Sequence, residues 1–531
     1  MMYLFRALLL CLLLGPFALE CQATRYFVNA SATGSATGLT WADAFTNLQE
    51  ALGIVIPGDE IWVAAGQYKP TTTTTRTISF QVRNGVDLYG GFAGNETTLE
   101  ERDLPANPTI LNGDIGEPGS STDNSHTVVT ATNITSTVVM DGFRIVNGYS
   151  ASGSTFNGGG LRVTNSLSGE FILRNCSVIN NFSGSYGGGL YLASARLTIE
   201  NCDFNNNQAG SGNGGAIYNG NVNGSGSILT VRDCRFRNNS ARVGACLANS
   251  QSYNSVVIDR CIFTANDSEN SILVLDDFES AQLLNSYVIG NTVDGFSSNV
   301  LNVNSTAADE VFTMTNCTVA HNFNVYSSTV QAPMIRFFDA YHEIRNSIIH
   351  GNTPVNGLQV SSNADVFSSL VEGGHVGGTD IIDEDPLFTE SYDGAVANFD
   401  ATQFDYSLSG TSPAVNNGNN AYVPAESDLD LALVPRIQAG TVDMGCYESD
   451  FTTALSTTVG SLSNWSYEPS QRALILTSTT STGALSVFIH DVQGRLVSTA
   501  TAHNGVVRLE LSAGVHFATA DGFNVLKFVV P

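Results

Sequence analysis

The sequence predicts an all-β protein: a right-handed parallel β-helix with three strands per coil, closed by an N-terminal helical cap and followed by a C-terminal antiparallel β-sandwich. Two observations carry this prediction. A seven-residue phrase recurs, as NCSVINN at Asn175, NCDFNNN at Asn201, DCRFRNN at Asp233, RCIFTAN at Arg260 and NCTVAHN at Asn316, and a repeat of this size is the signature of a solenoid. On both sides of its cysteine, apolar residues alternate with others at period two, the pattern of a strand with one buried face.

Taking that cysteine as an anchor, its equivalents are Phe143, Cys176, Cys202, Cys234, Cys261, Ser286, Cys317, Ser347 and Ser369. The spacing ranges from 33 residues between Phe143 and Cys176 to 22 between Ser347 and Ser369, so loops of variable length join a fixed unit. Five and three residues before the anchor stand Phe171 and Leu173, Leu197 and Ile199, Leu229 and Val231, Val256 and Ile258, and Phe312 and Met314. Two residues after it stand Ile145, Val178, Phe204, Phe236, Phe263, Val288, Val319 and Ile349. These define two short strands facing one core. A third follows the glycines of GGGLRV at Gly158, GGGLYL at Gly187, GGAIYN at Gly214 and GACLAN at Gly244. A chain this rich in Gly, Asn, Ser and Thr disfavours helical repeats.

Immediately before the anchor lie Gly142, Asn175, Asn201, Asp233, Asn285, Asn316 and Asn346. These types tolerate a left-handed backbone, so each coil should bend there. Stacked from coil to coil, the asparagine of the phrase is expected to form a buried ladder whose amide bonds backbone that the bend leaves unpaired, and the cysteine an apolar column. Adjacent strands hold stacked Cβ atoms about 4.8 Å apart, against about 3.8 Å in a disulfide, which favours buried thiols. No CxxC or clustered histidine points to zinc. Two residues before the anchor, the outward position reads Asp141, Arg174, Glu200, Arg232 and Asp259, alternating in sign. In-register stacking would set each beside its opposite, as exposed pairs worth roughly 0.2–1 kcal/mol each.

The segment Trp41 to Val55 places Trp41, Phe45, Leu48 and Leu52 on one helical face and reads as a plug over the first coil. GDEIWVAAGQY at Gly58 and NGVDLYGGFAG at Asn84 then read as the first coils proper. The expected organisation is a signal peptide at 1–23, cap and first coils at 24–115, repeat helix at 116–375, terminal coils at 376–449, a Ser/Thr-rich linker at 450–463 and the β-sandwich at 464–531. The signal peptide rests on one arginine, an apolar run from Ala7 to Leu14, a Gly-Pro break and small residues at Cys21 and Ala23, with cleavage after Ala23. No other window is long and apolar enough to span a bilayer, so the mature chain is expected outside the cell or on its surface, without a transmembrane segment.

Charge narrows the function classes. The 531 residues carry 22 basic and 49 acidic side chains, a formal net charge of -27, and the lysines are Lys69 and Lys527. Nucleic acid is excluded as a partner, because phosphate binding needs a basic stripe. The acidity suits solubility outside a cell, with cation binding as a second reading.

The pairing of GGAI at Gly214 with FNNN at Phe204, FRNN at Phe236 and FTAN at Phe263 resembles the GGAI and FxxN repeats of polymorphic outer-membrane proteins, a class of β-helical surface adhesins. VIGN at Val288 and IHGN at Ile349 depart from the Phe of that pattern. WADAFTNLQEAL, SPAVNNG and VDMGCYE resemble phrases that bracket secreted β-helix proteins of Bacteroidetes type. The last 80 or so residues resemble the C-terminal sorting domain of the type IX secretion system, through VFIHDVQGRLV at Val487, LSAGVHF at Leu511 and the final LKFVVP, without the opening Asn-Pro phrase. The resemblance implies passage across the outer membrane by that secretion machinery, removal of this domain, and release or attachment to surface lipopolysaccharide.

Right-handed, pectate-lyase-like β-helices include many polysaccharide lyases and hydrolases. A lyase needs a base, with acidic residues or Ca²⁺ neutralising a uronate; a hydrolase needs paired carboxylates. Acidic residues recur at one level before three consecutive anchors, as Asp276 and Asp277, Asp309 and Glu310, and Asp339, with Arg336, His342 and Glu343 nearby in sequence. The candidate catalytic residues are Asp277, Asp309, Asp339 and Arg336, and the candidate Ca²⁺ ligands are Asp276, Asp309, Glu310 and Asp339. Solvated turn residues of an acidic protein are the competing reading. His321 and His350 occupy neighbouring columns, and no GxSxG, HExxH, phosphate loop or EF-hand loop is present. Three functions stay open: a surface binding or adhesive module directed to an extracellular glycan or a host or neighbouring cell, a lyase or glycosidase for an acidic polysaccharide, and a structural stalk.

Overall fold

The computed structural model describes residues 23–449, apart from 152–155, 222–223, 251–253, 296–297, 306–309, 327–331, 339–341, 355–356, 395–397 and 439, and beyond 463 it describes seven strands. The expected signal peptide, but for its last residue, and the linker lie outside the described residues.

Three columns of parallel strands build the molecule. The first begins at Arg25–Val28, ahead of the GDEIWVAAGQY segment, and runs through Glu60–Ala64, Asp87–Phe92 and Val138–Asp141 into the repeats. There the inward residues Leu173, Ile199, Val231, Ile258, Leu283, Met314, Ile344 and Val366 stack in register. The second column stacks Ile145, Val178, Phe204, Phe236, Phe263, Val288, Val319 and Ile349, and the third Leu161, Leu190, Ile217, Leu247, Leu273, Leu301 and Ile335. All of them lie in or line one continuous core. Each such side chain gains about 1.5–3 kcal/mol on burial. Stacking also sets like on like: the rings of Phe204, Phe236 and Phe263 lie 5.1 and 4.9 Å apart, tilted by 9° and 12°.

The letters of NCDFNNN have separate roles. Asn201 is the bend, with φ 50°, and its equivalents Asn175, Asp233, Arg260, Asn285, Asn316, Asn346 and Ser368 all have φ between 45° and 54°. Arg260, a poor residue for that backbone, is held by ion pairs to Asp233 and Asp259 at 2.8 and 2.7 Å. Asn206 is a second left-handed bend, and the buried ladder belongs to the residue after it. Asn181, Asn207, Asn239, Asn266, Asn291, Asn322 and Asn352 are at most 5% exposed. Each Oδ1 accepts the backbone N–H of the ladder residue one coil back, as in Asn207 N to Asn239 Oδ1 at 3.0 Å, while Nδ2 reaches a second-strand carbonyl, as in Asn239 to Phe204 at 2.9 Å. The asparagines at the first bend stack too, but Asn201 is exposed.

The anchor column is buried as free thiols at Cys176, Cys202, Cys234, Cys261 and Cys317. It is more than apolar filling. Cys202 Sγ donates to the Glu200 carbonyl at 3.3 Å and accepts the backbone N–H of Cys176 at 3.4 Å; Ser347 Oγ makes the same two contacts, to Arg345 and from Cys317. A small side chain with one donor and one acceptor is what the site requires, which explains the exchange of Cys for Ser.

The predicted N-terminal helix is shorter than its pattern. It spans Leu48–Ile54, started by Asn47, whose side chain accepts from Gln49 N. Leu48, Leu52 and Phe45 reach the core, whereas Trp41 packs elsewhere, against Phe27 and Phe92.

Within 376–449, Thr379–Ile382 pairs with a coil strand, and Phe388–Glu390 forms an antiparallel hairpin with Asp405–Leu408. The remainder is a strap running back along the coils. Hydrogen bonds join Asn419 to Asn346, Asn316 to Asp443, Cys446 to Thr318, Phe399 to Gly290, and Ser427 to both Asn285 and Asp259. It covers the outward faces of Ile262, Tyr287, Ile289, Ala320, Ile348 and Leu370. A buried Arg436 ties the strap, donating to the carbonyls of Asp443 and Gly445 at 3.2 and 2.8 Å.

The alternating charges sit in register. Their end members are not exposed, however: Asp141 and Asp259 are each 1% accessible, because Arg102 covers the first and Ser427 of the strap the second. Beyond 463, three strands form one antiparallel sheet and four another.

Candidate functional site: a tyrosine ledge on the third strand column

The acidic level read from the sequence does not assemble into a site among the described residues. Asp309 and Asp339 lie outside them. Asp276 ends a third strand, pairs across to Asn304 and has its carboxyl pushed up to about 6 by burial, with Asp277 beside it adding to the shift. Asp277 occupies a left-handed turn. Arg336 pairs with Asn302, which pairs with Val274, so it stands two coils, or roughly 10 Å, along the axis. Its guanidinium lies 4.0 Å over the Phe338 ring. His342 is wholly buried beside Phe312 and Phe337 and accepts from Phe312 N, and Glu343 pairs with Arg345. His321 meets the hydroxyl of Tyr406 from the hairpin at 3.1 Å, and burial, with His350 nearby, holds its imidazole below the ordinary range. Among the described residues, no three His, Cys, Asp or Glu side chains gather as metal ligands.

A different group does converge. The glycine motifs fix the third strand: Gly158, Gly187 and Gly214 have φ of 78°, 64° and 73°, and a Cβ on Gly159 would stand 2.5 Å from the Phe182 carbonyl oxygen. With the coils this close, the outward residue of each motif stacks on the next. GGGLRV, GGGLYL and GGAIYN thereby align Arg162, Tyr191 and Tyr218. The rings of Tyr191 and Tyr218 are 5.6 Å apart and 10° from parallel, and Arg162 lies 5.7 Å from the Tyr191 centroid. Tyr186, from the turn ahead of Gly187, packs on Tyr218 at 4.6 Å.

Tyr218 is the buried base of this ledge, at 6% exposure, while Tyr186, at 40%, and the half-buried Tyr191 and Arg162 reach solvent. Burial pushes the Tyr218 hydroxyl up to about 12 and raises that of Tyr191, against the pull of Arg162. Both therefore stay protonated donors at neutral pH. The result is a flat apolar surface edged by O–H groups and one guanidinium. The residues stand in the sequence motifs themselves, where the same position reads Arg, Tyr, Tyr, but the motifs alone signal only a strand. The hollow of about 620 Å³ where the strap meets the last coil is lined by Ser368, Ile382, Asn417, Asn419 and Met444, with Asp380 as its sole titratable lining residue.

No family model and no curated protein matches the sequence. Among solved structures the chain is similar to the pectate lyase Pel9A, at 13% identity over 80% of this chain and 96% of that one, with a TM-score of 0.47. It is also similar to a rhamnogalacturonan lyase, at 13% identity over 65% and 87% with a TM-score of 0.38, and to a pectin methylesterase in complex with a hexasaccharide, at 14% over 64% and 94% with a TM-score of 0.28. The likeness is one of fold, a parallel β-helix.

Proposed function

We propose that the chain is an exported, surface-directed β-helix that binds glycan, adhesin-like, on the ledge of Arg162, Tyr186, Tyr191 and Tyr218. The observation that supports this is the stacked tyrosine surface with a guanidinium at its edge. Sugar rings present C–H faces that pack on aromatic faces, and their hydroxyl and carboxylate oxygens take the flanking O–H and N–H donors. Pairs of aromatic rings contribute about 0.5–1.5 kcal/mol beyond burial, and with a sugar face expected to contribute on that order, single-site affinity is modest and repeated contacts along a polymer raise it. Export is supported by the leader-like N-terminus and by the sorting-domain phrases at Val487 and Leu511.

The test incubates the secreted chain with neutral and acidic polysaccharides, with and without Ca²⁺, reading bound sugar and new chain ends together. Binding without new ends, lost in Tyr191→Ala, is the expected result. New ends would make the protein an enzyme instead, and binding untouched by Tyr191→Ala would move the site elsewhere.

A further inference from the structure

Asp59 is 4% exposed and, among the described residues, makes no ion pair with a side chain. A buried carboxylate without a cation is costly. Its Oδ2 accepts the backbone N–H of Ile56 at 2.9 Å, and its Oδ1 accepts the backbone nitrogen of Thr24 at 2.8 Å. Thr24 is the residue that cleavage after Ala23 turns into a new N-terminus. The hollow around it, of about 360 Å³, is lined by Ala23, Thr24, Arg25, Asp59, Glu60 and Asp87 among others. Arg25 is engaged there with Glu60 at 2.5 Å, and the half-buried Asp87 accepts from Val139 N and the Tyr89 hydroxyl, so Asp59 is the fully buried acid of the hollow and has no cation.

We infer that leader removal completes the first coil: the α-ammonium of Thr24 is the cation that Asp59 is built to receive. Hydrolysis of the Ala23–Thr24 bond consumes one water; Ala23 departs as a carboxylate with the leader, and the Thr24 nitrogen becomes an ammonium already within hydrogen-bond distance of Oδ1. The strand Arg25–Val28 pairs with Glu60–Ala64, so the ion pair pins the first strand of the column at its open end. This rests on the export reading but not on glycan binding. The amine gains a partner, so its pKa in the folded chain is raised. Its stabilisation is present below the ordinary α-amino pKa of about 7.7–8.0 and is lost as pH rises through the raised value.

The experiment takes the chain secreted by its own leader, determines its first residue by mass spectrometry, and titrates the α-amine by pH-dependent acylation, with Lys69 as internal reference. The expected result is a chain starting at Thr24 whose amine titrates about one unit or more above the ordinary range. In Asp59→Asn, and in a chain with one extra glycine before Thr24, the amine returns to the ordinary range. A different first residue overturns the inference, as does an ordinary titration in the wild-type chain. Either failure leaves the glycan test unaffected.

Discussion

Asn239 shows how a single side chain joins two coils. It accepts the backbone N–H of Asn207, donates to the Phe204 carbonyl at 2.9 Å and hands its other hydrogen bond to Asn266 at 3.0 Å, all without exposure. Asn239→Ala strands a buried N–H and a buried C=O, at about 1–3 kcal/mol each. Asn205→Ala, on the outward face two coils from Asn266, should cost within about 0.5 kcal/mol. Thermal or denaturant unfolding of both variants checks this; equal losses would refute the ladder. Cys202→Ser should be tolerated, because the hydroxyl can repeat both thiol contacts, as Ser347 does. That an asparagine stacks was legible in the repeated phrase. Which of its asparagines is buried was not, because residue type is the same at Asn201 and Asn207 and only the second bend at Asn206 turns one of them inward.

At the scale of the element, the strap is the part the sequence pattern concealed, since it has almost no regular structure of its own. Its footprint is nevertheless written on the coils. One residue after the anchor the outward position reads Ser177, Asp203 and Arg235, then Ile262, Tyr287 and, further on, Ile348; the change from polar to apolar marks where cover begins. Arg436→Leu leaves the buried Gly445 carbonyl unpaired and takes one of two donors from the Asp443 carbonyl, so the strap should detach and be cut by protease between 399 and 449 while the coils persist. A variant as resistant as wild type would contradict this role.

The strap is also expected to respond to pH. Burial pushes the Glu448 carboxyl up to about 8, against the pull of Arg436, and Asp430 up to about 6. A carboxyl whose folded pKa lies above its unfolded value of about 4.3 favours docking while protonated. Strap docking should therefore weaken as pH rises from about 4.3 to 8 and level off above. Glu448→Gln should remove the decline above pH 6 and leave the smaller part that Asp430 supplies below it. Protection of the strap from proteolysis between pH 5 and 9 reads this directly; a decline unchanged in the variant would assign it to other groups.

For the whole molecule, repetition made the fold readable and also limited the reading of function. The strand columns predicted from the anchor stack in register, because each coil repeats the side-chain environment of the one before it. Of the acidic level, Asp309 and Asp339 lie outside the described residues; among those described, Asp276 ends a strand, while Arg336, its neighbour in the sequence reading, belongs to a strand interior two coils away. Arg162, Tyr191 and Tyr218 of the ledge lie inside strands, where register is kept, and they align for that reason. The most direct measurement is the affinity of a bound oligosaccharide for the wild-type chain, Tyr191→Ala and Asp277→Asn. The ledge predicts a loss of about tenfold or more for Tyr191→Ala, from about 1.4 kcal/mol of lost contact, and no change for Asp277→Asn. Undiminished binding by Tyr191→Ala, or loss in Asp277→Asn alone, would contradict it.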